Sequence, residues 1–381
     1  MKKKYIIFSI VTLVLLVALI TSFNYFKTTN TYIDDSVNNQ TKITKGISMN
    51  LEQTAGAGDY KTVTRSSWPT EGYKFNAELS RCENGSTLSW DDTKKAVIVS
   101  GNLSDKCYVY FDLARFDETC DGSTLACRIA KQYTGTQGEN SLYYHNSTLT
   151  NGAGDNSYRY AGASASVNNY ICLGSDATTC PDANLFRIIG VFGDQTKVIR
   201  AKSVGDKEWD TNDSNTWSTS SLNTYLNGEY LTSLGTLADK IATTTWKVGG
   251  GTYESILTSV PATAYQYEVG SSASTTTVDK KIGLMYVSDY GFAADQSGWT
   301  TKLSSYNSNK SKNWLNTGRY IEWTLSRNSD NTSNAFGVNS TGYVDNYNVT
   351  KSYVVRPSFN LESSVKYVSG SGSMSDPVRV N

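Results

Sequence analysis

Two arginines are the side chains best suited to hold a charged ligand in this chain of 381 residues. If the fold brings Arg327 and Arg356 together, they form a clamp for an anion or a carboxylate, because each guanidinium presents paired N–H donors in one plane. The structural interpretation competes with this one, since a buried arginine is normally paired and holds loops in place. The sequence leaves both interpretations open.

Tryptophans offer a second kind of chemistry, the stacking of a sugar ring on an indole. The candidates in the second half of the chain are Trp209, Trp217, Trp299, Trp314 and Trp323. Members of such a set also pack in cores, and Trp299 and Trp314 are favoured for stacking because they lie in polar, loop-like segments. The predicted ligand-binding residues are therefore Trp299, Trp314, Trp323, Arg327 and Arg356.

Residues suited to catalysis or metal binding are sparse. His145 is the only histidine, so serine or cysteine hydrolase chemistry would depend on it, and its polar, loop-like segment predicts a surface position. The acidic run 206–213 begins like a calcium loop, but Thr211 and Trp217 replace the required glycine and glutamate. We predict no catalytic residue, no metal and no cofactor, although a carboxylate pair for glycoside hydrolysis stays open.

The six cysteines predict an oxidising compartment. Their number is even, there is no Cys-x-x-Cys, and six cysteines allow 15 pairings, among which proximity favours Cys82 with Cys107, Cys120 with Cys127, and Cys172 with Cys180. Three disulfides indicate a protein that works outside the cytoplasm.

The N-terminal segment predicts how the chain is held. Residues 2–4 are lysines, and residues 5–23 contain no charge, glycine or proline. At about 1.5 Å per residue this run gives a helix of about 28 Å, close to the roughly 30 Å of a bilayer core. We expect a single-pass anchor in a bacterial cell membrane, with the N-terminus in the cytoplasm. The alternative is a cleaved signal peptide, which would make the protein secreted, but no small-x-small cleavage site follows.

Composition and pattern predict the domain organisation. Lys+Arg and Asp+Glu both number 35, which argues against nucleic acid as a partner. We expect an α+β chain in five segments: a cytoplasmic tip and anchor (1–26), a stalk (27–47), a small antiparallel β domain (48–113), a connector (114–157) and a larger α+β domain (158–381). Within the last, 185–192 and 197–200 predict a hairpin around Gly193 and Asp194, and apolar residues between 222 and 234 recur at helical spacing.

Several motifs of the larger domain occur in an order that resembles a bacterial family of unknown function. They are FRIIGVF, NTWSTSSLNTYLNGEY, IGLMYVSDYGFA, EWTLSR and AFGVNSTGYVDNYNVTKSYVVRPSFNL. Trp323, Leu325, Ser326 and Arg327 match its Trp-Trp-Leu-Arg-Ser-Pro signature, whereas Glu322 and Asn328 stand where tryptophan and proline are usual. Residues 355–358 match its Gly-Val-Arg-Pro-Ala signature.

That family looks like a relative of the C-type-lectin-like fold shared with formylglycine-generating enzyme, so the resemblance implies such a domain over about 184–361. It does not imply the enzyme's chemistry, because the chain has no cysteine after Cys180. The Glu-Pro-Asn and Trp-Asn-Asp motifs of calcium-dependent lectins are also missing. The N-terminal unit contains SSWPTEGYKFNAELSRCENGSTLSWDD and SDKCYVYFD, and GDNSYRYAGA follows it. With these motifs it is similar to modules in anchored proteins of low-GC gut bacteria.

These observations predict a surface protein that binds and does not catalyse. We expect a lectin-like domain that presents loops rich in Tyr, Ser, Asn and Gly to an extracellular glycan or protein, since such loops suit recognition. The alternatives are an enzyme acting on envelope polysaccharide and a structural component of the envelope.

Overall fold

The computed structural model describes residues 46–64, 68–69, 72–102, 105–318 and 320–381. The chain divides into two compact units, Met1–Arg115 and Phe116–Asn381. The predicted anchor, 5–23, and nearly all of the predicted stalk lie outside the described residues.

In the first unit the described strands are β1 (Ile47–Glu52), β2 (Tyr60–Val63), β3 (Tyr73–Cys82), β4 (Thr87–Asp91), β5 (Ala96–Ser100) and β6 (Cys107–Leu113). In the second they are β7 (Leu142–His145), β8 (Ser157–Tyr160), β9 (Tyr170–Cys172), β10 (Leu185–Phe192), β11 (Gln195–Arg200), β12 (Asp206–Glu208), β13 (Thr244–Lys247), β14 (Thr277–Lys280), β15 (Ile282–Gly283), β16 (Glu322–Arg327), β17 (Asn334–Val338), β18 (Val344–Asn348), β19 (Ser352–Val354), β20 (Ser358–Leu361), β21 (Tyr367–Ser369) and β22 (Val378–Val380).

The helices of the second unit are short. The α-helices are α1 (Phe116–Thr119), α2 (Leu125–Ala130), α3 (Ser221–Tyr225), α4 (Leu231–Ser233), α5 (Tyr253–Leu257), α6 (Pro261–Glu268) and α7 (Val287–Phe292). A π-helical turn, Leu226–Tyr230, joins α3 to α4, so the predicted helical stretch is continuous and widens at Asn227 and Gly228. Segments of 3₁₀-helix occur at Glu139–Ser141, Asp182–Asn184, Trp217–Thr219, Gly235–Lys240, Gln296–Thr300 and Leu303–Lys312.

The first unit is built on a mixed sheet, not the antiparallel one predicted. Its order is β2-β1-β6-β3, and β1 runs parallel to β6. Hairpin signals reveal only neighbours in sequence, whereas a parallel pair needs a long crossover, here the whole stretch between β1 and β6. The disulfide between Cys82 and Cys107 joins β3 to β6, as predicted.

The predicted α+β class with an N-terminal transmembrane helix is wrong. The described chain is rich in strands, and its longest α-helix, α6, has eight residues. Glycine, asparagine and serine recur every few positions, so helical segments stop after one or two turns. None of the helices in the described residues is long and apolar enough to cross a membrane.

The larger sheet of the second unit has the order β15-β20-β11-β10-β9-β22-β21, with β8 joined to β10 and β7 joined to β8. The predicted hairpin is confirmed as β10 and β11. Gly190 makes the junction with β8 feasible, because a Cβ at this position would lie 2.1 Å from the carbonyl oxygen of Tyr158. No other residue fits there without moving a strand.

A second sheet, β12-β19-β16-β17-β18, shares one hydrophobic core with the larger sheet. Ile188 and Val198 of the larger sheet and Trp323 and Phe336 of the second belong to that core. The stretch predicted as a connector, 114–157, supplies α1, α2 and β7 to this unit. The predicted disulfides Cys120–Cys127 and Cys172–Cys180 are both present and confirmed.

Candidate functional site

The three predicted tryptophans are all buried. The indole of Trp299 donates to the Ala294 carbonyl at 3.0 Å, that of Trp314 to the Tyr160 carbonyl at 2.8 Å, and that of Trp323 to the Lys207 carbonyl at 3.0 Å. Trp299 lies in the 3₁₀ segment Gln296–Thr300, and Trp323 lies within β16. The prediction that Trp299 or Trp314 stacks on a sugar is therefore wrong, because neither ring reaches the surface.

Arg356 is a structural arginine. Its Nε lies 2.7 Å from Glu322 Oε1, and its Nη2 donates to the Leu315 carbonyl at 2.8 Å, with both charged side chains buried. Burial raises the pKa of Glu322, and Arg356 opposes that shift. The resembling family usually has tryptophan at the position of Glu322. In this chain the glutamate there pairs with Arg356, the arginine of the second signature.

Arg327 has different partners, so the predicted clamp with Arg356 does not form. Its Nε donates to the Gly249 carbonyl at 2.9 Å and its Nη1 to Asn215 Oδ1 at 3.4 Å. These contacts dock the segment Gly249–Gly251 against the end of β16. Gly250 has φ of +62°, and a Cβ there would lie 2.0 Å from the Arg327 carbonyl oxygen, so only glycine fits.

The docked glycine segment borders an open groove of about 650 Å³, which we name the glycine groove. Its walls carry hydroxyl groups from α5, α6 and the loops beside them, together with Arg327 and Tyr267. Tyr267 is 39% exposed. An exposed ring beside hydroxyls, carbonyls and a guanidinium is a surface that can stack on a sugar and hydrogen-bond its hydroxyls.

The described lining of the glycine groove contains one carboxylate, that of Glu254. Hydrolysis of a glycosidic bond needs two carboxyl groups on either side of that bond. The described lining supplies one of the two carboxyl groups that this reaction needs.

His145 is buried on β7, which corrects the predicted surface position. Its Nδ1 accepts from the Ala153 backbone N–H at 3.1 Å, and its ring lies 4.8 Å from that of Phe292 and 5.0 Å from that of Trp299. Burial lowers the pKa of His145 to about 3, and the nearby Arg159 charge adds to the shift. The imidazole is therefore neutral at physiological pH, and the ring packs in the hydrophobic core.

A buried network of charges lies close by. Asp289 accepts from Lys197 Nζ at 2.6 Å and from Arg159 Nη1 at 3.3 Å, and Arg159 Nη2 lies 2.7 Å from Asp155 Oδ2. Burial lowers the pKa of Lys197, while Asp289 opposes this shift. Burial alone would raise the pKa of Asp155, but Arg159 and His145 outweigh it and bring that pKa down to about 2.

Glu268 fixes the start of α7 beside this network. Its carboxyl group accepts from the backbone N–H groups of Val287 and Ser288 at 2.9 and 2.8 Å, and from the Ser326 hydroxyl. Burial raises the pKa of Glu268. These hydrogen bonds hold α6 and α7 together. They also fix the residues of both helices that lie beside the charge network.

The acidic run 206–213 forms β12 and a turn. Asp210 is buried and accepts from the backbone N–H groups of Asn212, Ser214 and Ser221. Its carboxylate oxygens are thus used to shape the turn. In the described residues no group of three or more His, Cys, Asp or Glu side chains is placed to hold a metal ion.

Sequence reasoning missed both the glycine groove and the charge network. The groove had a visible signal, three consecutive glycines at 249–251. The network had none, because Asp155, Arg159, Lys197 and Asp289 are spread over more than a hundred residues and read individually as surface charges.

Residues 193–363 match the model of a domain of unknown function, DUF6273. The matched range contains the glycine groove, together with Lys197 and Asp289, but it stops short of Asp155 and Arg159. No curated protein and no solved structure matches the chain. The resemblance to a C-type-lectin-like domain therefore stays a prediction.

Proposed function

We propose that the second unit is a binding module that works outside the cytoplasm and holds a glycan in the glycine groove. The observation that carries the proposal is the composition of the groove. Exposed Tyr267 and half-buried Arg327 line it together with Ser and Thr hydroxyls and the Gly249–Gly251 backbone. A sugar offers the matching chemistry, an apolar ring face and many hydroxyls.

The disulfides support the proposal that the unit works outside the cytoplasm. Cysteine pairs of this kind persist where thiols are oxidised, and the described residues contain no free cysteine. Extracytoplasmic polysaccharides and glycoproteins are the glycans that such a protein meets. A lectin-like role for this unit agrees with the resemblance drawn from the sequence.

A glycan array with the full chain tests the proposal. We expect binding to a restricted set of glycans, and the variant Tyr267→Ala should weaken it about tenfold, because a stacking contact is lost. The matched control is Tyr320→Ala, since Tyr320 is 83% exposed and lies outside the groove. Binding that is absent from the array, or equally strong in Tyr267→Ala, would contradict the proposal.

A further inference from the structure

A second, smaller cavity of about 160 Å³ adjoins the buried charge network. Its lining comes from β8, β10, β11, β13, α6, the start of α7 and β20. Much of the wall is aromatic, and the ammonium of Lys197 lies 4.7 Å from the ring centre of Tyr286 and 5.5 Å from that of Trp246. At roughly 30 Å³ per water molecule the volume holds about five waters, which is the size of a small metabolite.

One buried polar atom of this lining, Asn360 Oδ1, has no hydrogen-bond partner among the described residues, and its side chain is 9% exposed. The Asn360 amide nitrogen donates to Thr244 Oγ1 at 3.0 Å, which leaves the amide oxygen as the free acceptor. Unpaired buried polar groups are rare in folded proteins, so a partner that donates to Asn360 Oδ1 is expected here.

The charges of the lining favour an anion. Three side chains are cationic, Arg159, Lys197 and Lys247, and two are anionic, Asp155 and Asp289. The carboxylates are already engaged, by Arg159, by Lys197 and by the Tyr286 backbone N–H. Lys197 has three N–H donors and uses one on Asp289, so it retains donors for a second carboxylate.

We propose that this cavity binds a small carboxylate that also carries an N–H or O–H donor, of the class of α-amino and α-hydroxy acids. The carboxylate of the ligand accepts from Lys197, the donor of the ligand pairs with Asn360 Oδ1, and a short apolar substituent lies against Trp246 or Tyr286. The inference does not depend on glycan binding, because the groove and the cavity have no lining residue in common.

Calorimetric titration of the full chain with four probes tests the inference: L-alanine, L-lactate, acetate and ethylamine. We expect L-alanine or L-lactate to bind, acetate to bind about tenfold more weakly because it lacks the donor, and ethylamine not to bind because it lacks the carboxylate. If acetate binds as tightly as both acids, Asn360 Oδ1 does not pair with a donor of the ligand, and that part of the inference is wrong. If none of the four binds, the cavity holds water only and the inference is wrong.

Variants locate the site. Asn360→Leu removes the unpaired acceptor at similar side-chain size and should weaken ligand binding about tenfold. The half-buried Lys247 at the cavity gives a second variant, Lys247→Gln, with an expected loss of about threefold. Ser304→Ala, at an exposed serine outside the cavity, is the matched control. Wild-type affinity in both Asn360→Leu and Lys247→Gln would overturn the assignment.

Discussion

The buried imidazole of His145 makes the stability of the second unit depend on pH as the pH falls below the pKa of an ordinary histidine. Its pKa is about 3 in the folded chain, against about 6.5 in an unfolded one. The unfolded state therefore binds a proton first, and stability that is present above pH 6.5 is lost as the pH falls toward 3. At pH 4.5, two pH units below the unfolded pKa, the loss is about 3 kcal/mol.

The variant His145→Asn isolates this contribution. Asparagine places an acceptor where Nδ1 stands, so the Ala153 N–H keeps a partner, but the titratable ring is gone. At pH 7 the variant should be about 3 kcal/mol less stable than the wild type, because a buried ring is lost. At pH 4.5 the difference should nearly vanish, since only the wild type has to keep a histidine neutral.

Urea unfolding of both proteins at pH 7 and 4.5, followed by tryptophan fluorescence, measures the two differences. Asp155, with a pKa of about 2, loses its share only at lower pH. The raised pKa values of Glu268 and Glu322 act alike in wild type and variant and cancel. Phe186→Leu, which truncates a buried ring packed on Phe359, is the control whose deficit should not change with pH. A constant deficit for His145→Asn as well would refute the reasoning.

Three further predictions concern the frame of the molecule. Gly190→Ala should destabilise the second unit by about 3 kcal/mol, because its Cβ meets a backbone carbonyl, and thermal unfolding measures this loss. Replacing Cys82 and Cys107 by serine should cost the first unit about 3 kcal/mol through loop entropy, which the fluorescence of Trp90 reports during urea unfolding. Glu322→Gln should cost about 3 to 5 kcal/mol by leaving Arg356 unpaired, and adding Arg356→Met should recover most of it in a double-mutant cycle.

Local features of the structure followed from the sequence. The hairpin of β10 and β11 was readable because Gly193 and Asp194 separate two apolar runs, and φ at Gly193 is +63°. The disulfides were readable because the cysteines pair in consecutive order along the chain, at sequence separations of 25, 7 and 8. Both signals lie within a short stretch of chain, where turn geometry and loop closure decide the outcome.

Contacts between distant segments were not readable in this way. Trp299 and His145 lie in polar segments, and only the packing of Phe292 and Tyr143 against them buries both. The pairing of β1 with β6 likewise depends on strands far apart in sequence. Arg327 and Arg356 looked equivalent because each follows a strand-forming run, yet one meets a glycine segment and the other a glutamate.

Helix α6 connects the two proposed sites and decides whether they act separately. Tyr265 of this helix lines the cavity, and Tyr267, two residues later, lines the glycine groove, so the two rings point to different sides of the helix. Glu268 at its end is tied to α7 through two backbone hydrogen bonds, which holds the helix in place.

A fixed helix predicts independent sites. Asn360→Leu should leave glycan affinity unchanged, and Tyr267→Ala should leave the affinity for the small carboxylate unchanged, as calorimetry of each variant with each ligand would measure. Coupling between sites is reciprocal, so if one ligand changes the affinity for the other, the reverse titration must show the same factor. Such a factor would mean that α6 moves between two positions and that the contact of Glu268 with α7 is broken in one of them.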